Sequence, residues 1–275
     1  MNAVAQAVAE GVLPGRVWLY SNYHCNLACS YCLTESAPKV SRRELSPDHM
    51  VEIALQARAL GFTALGITGG EPFLLPHMPE TIARVASLLP VVVLTNGTVF
   101  NRARLERMRP LADLPVWIQI SLDSADPVVN DSMRGPENWS RVIDAIPALT
   151  RSGIRVRIAT TVEEISDDDL ARLCSLHREL GVADEDHVVR PIIRRGRAVD
   201  HHLGILAEAR DLPPELTITA DGAFWSPFGP TVHGGKLDTD LLVSRVTVPL
   251  ARPASALLRL VAGRPRGSDA QLHIR

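Results

Sequence analysis

Three of the chain's 4 cysteines fall at Cys25, Cys29 and Cys32, in the run Ser21-Asn22-Tyr23-His24-Cys25-Asn26-Leu27-Ala28-Cys29-Ser30-Tyr31-Cys32. Thiolates are soft ligands that suit iron–sulfur clusters, and the spacing C-x3-C-x2-C lets three of them wrap one face of a cube. Three thiolates leave the fourth iron without a cysteine. An iron with an open position can take the amino and carboxylate groups of a ligand, whereas a cluster capped by four cysteines usually only transfers electrons. Zinc is the alternative for the same cysteines with His24, although adjacent His24 and Cys25 sit awkwardly around one tetrahedral ion. Tyr23, Leu27 and Tyr31 are spaced to pack around such a centre, exclude water and tune its potential.

The rest of the chain must hold that loop. With 275 residues, 46% of them hydrophobic, it can bury a full-sized core in one large domain. The formal net charge of -2 supplies no global positive field, so nucleic acid is not an expected partner. No run approaches the roughly 20 apolar residues that span a bilayer, and the opening MNAVAQAVAEGVLPG lacks the basic and apolar regions of a secretion signal. A cytoplasmic enzyme with no membrane partner is therefore expected. Crowded cysteines are also poor staples for distant loops.

Apolar runs mark strands at 17–20, 64–67, 91–94, 116–120, 155–160 and 188–189. Helical periodicity marks 48–60, and further helices are read at about 78–88, 102–108, 139–151 and 167–180, with Gly61, Gly153 and Gly181 as stops. Six repeats of a strand followed by a helix or loop favour an α/β fold with a parallel sheet, whose ligand sites lie beyond the carboxyl ends of the strands. The polar signals stand at those ends: Thr68-Gly69-Gly70-Glu71-Pro72, Thr95-Asn96-Gly97, Ser121-Leu122-Asp123, and the basic Arg194-Arg195-Gly196-Arg197. Residues 1–16 read as a lead-in and 17–210 as the main domain. From 211 to 275 the pattern changes to short strands at 216–219 and 223–225, with a turn at Asp221-Gly222, and a last helix at 252–262, which describes a small α+β appendage. Cys174 falls on an apolar stripe with Leu170, Leu173 and Leu180 and is expected to be a core thiol.

In this order the motifs resemble the radical S-adenosylmethionine (radical SAM) superfamily, over at least residues 17–200. The resemblance implies a partial (β/α)6 TIM-like barrel, one [4Fe-4S] cluster on Cys25, Cys29 and Cys32, and S-adenosyl-L-methionine across the open carboxyl edge. It implies that Gly69, Gly70 and Glu71 hold the methionine amino end, partly through exposed backbone; the plain alternative is a tight turn with a solvated glutamate. Ser121 and Asp123 match positions that contact the ribose hydroxyls and Asn96 one that organises the same edge, while each is also a helix-cap type. Arg134, in Ser132-Met133-Arg134-Gly135, resembles an arginine-glycine motif near the cavity whose guanidinium pairs with a cofactor or substrate carboxylate; the plain alternative is a surface arginine. Ile192 is implied beside the adenine. Arg197 is implied either to stabilise its loop or to face an acidic substrate.

Ile218 to Phe228 and His233-Gly234-Gly235-Lys236-Leu237 resemble the hairpin of the twitch or SPASM extension. Such extensions commonly carry auxiliary clusters on cysteines, and no cysteine follows Cys174 here. The expectation is a cluster-free appendage that shapes the cavity, with Trp225, Phe228 and His233 as lining residues or, alternatively, as a small packed core. The implied activity is reductive cleavage of S-adenosylmethionine, with the 5′-deoxyadenosyl radical taking hydrogen from a small metabolite or a peptide-derived biosynthetic precursor. The implied partner is a flavodoxin-, ferredoxin- or other reductase-type electron donor. The lead-in is expected to be too short for a peptide-recognition domain, which a partner protein could supply instead. Alternatives are a glycyl-radical activating enzyme and a non-catalytic iron–sulfur electron-transfer or regulatory module; Gly69, Gly70, Glu71 and Asp123 weigh against the latter.

Overall fold

The structure, a computed structural model, describes residues 2–262. Six strands, β1 (Arg16–Tyr20), β2 (Ala64–Thr68), β3 (Val91–Thr95), β4 (Val116–Ser121), β5 (Arg155–Val162) and β6 (His187–Pro191), lie parallel in sequence order. Between them run α2 (Pro47–Ala59), α3 (Met78–Ala86), α4 (Arg102–Met108), α5 (Pro127–Arg134), α6 (Asn138–Arg151) and α7 (Asp167–Glu179), preceded by α1 (Ala3–Ala9). The central strands are buried along almost their whole length, which is why they read as continuous apolar runs rather than alternations. The helices begin where short polar side chains satisfy free amides: Ser46 accepts from His49 N before Pro47, and Ser166 accepts from Asp169 N. Gly61 and Gly153, at φ +88° and +78°, turn the chain back after α2 and α6. The expected partial (β/α)6 barrel is thus the architecture of the main chain, open at β6.

Three elements differ from the sequence reading. The lead-in is helical, its Val4 and Ala7 buried and α1 packed against the last helix, α9 (Ala251–Ala262). A helix also forms at Pro127–Arg134, opened by the Asp126 carboxylate on Val128 N and Val129 N. Eight residues hold too few turns to show a period. β6 runs to five residues where two were expected, because pairing with β5 and not its own composition defines it.

After α8 (Arg197–Asp200), β7 (Thr217–Thr219) pairs parallel with β1, setting Trp18 beside Thr217 and Leu19 beside Ile218. β8 (Gly222–Phe224) returns as a hairpin, and β11 (Leu242–Ser244) lies antiparallel to it. The short β9 (Val232–His233) and β10 (Lys236–Leu237) form a separate hairpin. Residues 211–262 therefore extend the barrel's own sheet to nine strands on the β1 side. Residues 263–275, the remainder of the expected appendage, lie outside the described residues.

Cys174 is half-buried, its Sγ 4.0 Å from Nδ1 of His187; the buried face of α7 is made by Leu173 and His177. The His177 ring meets the His187 ring edge-on at 4.3 Å, and neither of its nitrogens has a hydrogen-bond partner. Burial lowers the His177 pKa from 6.5 to about 3. The ring is therefore neutral in the folded chain, while the unfolded chain takes up a proton below pH 6.5. The resulting stability is complete above that pH and is lost as pH falls toward 3. In urea unfolding, the wild type is expected to lose about 2 kcal/mol more than His177→Leu between pH 7 and pH 5. Equal losses would show that the ring does not titrate on unfolding.

Candidate active site

The cysteine loop leaves β1 and is folded at once onto the exit of β2. Ser21 N donates to Thr68 O at 2.8 Å, Gly70 N to Asn22 O at 2.8 Å and Glu71 N to His24 O at 3.0 Å. Asn22 Nδ2 donates to the carbonyls of His24 and Glu71. Only glycine fits at position 70, since a Cβ there would stand 2.0 Å from His24 O. The far side of the loop is held by Arg197, whose backbone N donates to Cys32 O at 3.0 Å and whose guanidinium donates to Cys29 O at 2.6 Å and Ser36 O at 3.0 Å. Arg197 thus braces the loop and does not line the cavity. Arg197→Met is expected to speed iron loss from reconstituted protein to a chelator about tenfold, the effect of losing charge-assisted hydrogen bonds. An unchanged rate would remove Arg197 from this role.

Cys25, Cys29 and Cys32 line one cavity at the carboxyl ends of the strands, with ≈ 1110 Å³ of empty space counting its open mouth. Cys25 Sγ accepts from Leu27 N at 3.4 Å and from Asn96 Nδ2 at 3.5 Å, donors that suit a thiolate. Burial, with Glu71 nearby, pushes the Cys25 thiol up to about 12, and burial raises Cys29 as well. Thiolates here need a bound cation, which deprotonates a ligating thiol outright. Their spread says which kind. Among the described residues, Glu35, Asp200 and His233 are the group whose ligand atoms all fall within 4.8 Å, so the three sulfurs span more than that. A single tetrahedral zinc, at about 2.3 Å from each sulfur, needs sulfurs about 3.8 Å apart. As placed, the three thiols do not close on a single tetrahedral ion, and a set of three soft donors at C-x3-C-x2-C spacing suits an iron–sulfur cluster.

Gly69, Gly70, Asn96, Ser121, Arg134 and Ile192 share this cavity. Glu71 and Asp123 stand behind its wall. The fully buried Glu71 carboxylate accepts from Phe73 N, Thr95 Oγ1 and Asn96 N at 3.0, 2.8 and 2.8 Å, clamping the β2 exit to the β3 exit. Burial raises its pKa despite these donors. Asp123 accepts from Tyr31 OH at 2.5 Å, Arg134 Nη1 at 3.1 Å and Thr161 N at 2.9 Å. Its side chain is buried entirely, so it acts on the cavity through Tyr31 and Arg134. A buried carboxylate left unpaired is costly, which accounts for both arrangements. Of the three appendage residues, Phe228 lines the cavity together with Pro227. Trp225 is buried in the core, and His233 sits on the exposed side, 3.0 Å from Asp200 Oδ1. Sequence reasoning passed over Arg190, a cavity residue whose signal is an arginine inside an apolar strand.

The sequence profile of the radical SAM superfamily matches residues 19–177. The chain belongs to the radical SAM superfamily. Its cysteine spacing and the cavity around it support a [4Fe-4S] and S-adenosylmethionine system. This radical SAM chain is 30% identical over 181 residues to the antilisterial bacteriocin subtilosin biosynthesis protein AlbA of Bacillus subtilis, covering 65% of this chain and 40% of AlbA. It is 27% identical over 169 residues to the PqqA peptide cyclase of Streptomyces rochei, covering 61% and 46%. The chain spans less than half the length of these relatives. The fold is shared with Streptococcus suis SuiB bound to S-adenosylmethionine, at a TM-score of 0.57 and 20% identity over 68% of this chain and 43% of SuiB. Among the described residues no helix is long and apolar enough to cross a membrane.

Proposed function

We propose that the chain is a radical SAM enzyme that cleaves S-adenosylmethionine reductively and takes hydrogen from a carbon of a biosynthetic precursor, peptide-derived or a small metabolite. The observation that carries this reading is the convergence of Cys25, Cys29 and Cys32 on one cavity that Gly69, Gly70 and Asn96 also line. When bound, the cluster supplies the electron that breaks the sulfonium bond and so makes hydrogen abstraction from an unreactive C–H bond available.

The chain's own residues bind, orient and keep water out. Cys25, Cys29 and Cys32 hold the cluster. The backbone of Gly69 and Gly70, free of side chains, receives the methionine end of the cofactor, while Asn96, Ser121 and Ile192 surround the remainder. Asp123 fixes Arg134 and Tyr31 in place. Tyr20, Leu27 and Phe228 supply apolar wall that keeps water from a reactive carbon centre. A peptide-derived precursor is favoured because the names of the related proteins refer to a bacteriocin and to a peptide cyclase. The electron comes from a flavodoxin-, ferredoxin- or other reductase-type donor, and a cytoplasmic setting suits reduced, unpaired cysteines.

Anaerobic reconstitution with iron and sulfide, reduction by dithionite and addition of S-adenosylmethionine should yield methionine and 5′-deoxyadenosine in equal amounts. Protein that carries zinc alone, or a reduced cluster that yields neither product, would overturn the proposal.

A further inference from the structure

Besides the three cysteines, the cavity is lined by two ionic side chains among the described residues, Arg134 and Arg190, and both are cations. Arg134 is matched by Asp123 at 3.1 Å. Arg190 has no such match. It rises from β6 beside Thr161 of β5 and donates through Nε to Thr161 Oγ1 at 3.1 Å, a bond that sets the plane of the guanidinium. The carboxylate whose field reaches it is Asp123, already engaged by Arg134, Tyr31 and Thr161 N. A guanidinium stays charged at every accessible pH. The cavity therefore holds one cation without a carboxylate partner of its own, its two terminal nitrogens unspent, in a wall that also carries the apolar Ile192, Ile193 and Phe228. A planar fork of donors in a partly desolvated wall matches a carboxylate in two-point contact, and a half-buried cation gains most from an anion that arrives with the ligand.

We infer that Arg190 binds a carboxylate of the substrate and so selects precursors that present one close to the carbon under attack, whether an acidic side chain, a peptide C-terminus or the acid group of a metabolite. This rests on the proposed radical SAM function and adds a substrate requirement to it. Arg190 is on this account a specificity-determining residue.

The test uses reconstituted protein saturated with S-adenosylmethionine and, as the probe, a mixture of N-acetylated glycine-led dipeptides offered once as free acids and once as C-terminal amides, with retention measured by equilibrium dialysis and mass spectrometry. The wild type is expected to retain the acids about tenfold better than the amides, the size of one charge-assisted contact. Arg190→Gln should lose the preference with a smaller change in affinity for S-adenosylmethionine, and Arg190→Lys, which keeps charge without the fork, should keep part of it. Equal retention of acids and amides by the wild type overturns the inference. So does an Arg190→Gln variant whose affinity for S-adenosylmethionine falls as far as its acid preference, since the guanidinium would then serve the cofactor's carboxylate. Formation of 5′-deoxyadenosine by the wild type, scored separately, reports on the proposed function by itself.

Discussion

Replacing Cys29 with alanine is expected to strip iron from the reconstituted protein and to lower 5′-deoxyadenosine formation by more than about 1000-fold. Cys29 is the middle of the three ligands, and two thiols cannot close one face of a cube. The loss should be specific to ligation, because the Cys29 sulfur has one weak protein contact, to Arg134 O at 3.7 Å, and the loop is otherwise held through its backbone. The matched control is Cys174→Ala. That thiol lies on α7 beside His187 and takes no part in the cavity lining, so its loss should leave both iron content and product formation as in the wild type. Iron and sulfide analysis with the electron paramagnetic resonance signal of the reduced protein reads the first effect, and chromatography of the nucleoside reads the second. Full iron in the Cys29→Ala protein would show that these cysteines are not the ligands.

Arg134→Met should cost about 3–5 kcal/mol of folding stability, the range seen when one partner of a buried ion pair is removed. The pair is well inside the protein, with side-chain exposures of 5% for Arg134 and 0% for Asp123. Removing the guanidinium leaves Asp123 charged and desolvated, with only Tyr31 OH and Thr161 N to serve it. Pairing Arg134→Met with Asp123→Asn should restore part of the loss, because a neutral amide in that place carries no unpaired charge. The surface pair Arg107–Glu80 sets the contrast: at exposures of 46% and 59%, Arg107→Met should cost no more than about 1 kcal/mol. Urea unfolding at neutral pH separates these outcomes. A loss below about 1 kcal/mol for Arg134→Met would mean that water reaches Asp123 and that the pair is not buried in solution.

What could be read along the chain was what neighbours along the chain decide. The spacing of Cys25, Cys29 and Cys32 is a local property, and so are the apolar runs that became β1 to β5 and the polar strand exits that became the cavity rim. Strand and helix periods, caps and ligand spacings depend on residues a few positions apart, so composition and order carry them. Tertiary structure decided which polar groups face the cavity. Glu71 and Asp123 are residue types that look like ligands, yet each is consumed by partners distant in sequence: Asn96, 25 positions from Glu71, and Tyr31, 92 positions from Asp123. Arg190 stands in a strand between valines and a proline, and the fold makes it the cavity's unmatched cation. His233, expected beside Phe228 from the likeness to a twitch hairpin, points outward because its hairpin packs on Glu35 and Asp200. A buried polar side chain must find a partner wherever the fold supplies one, and no spacing along the chain records where that will be.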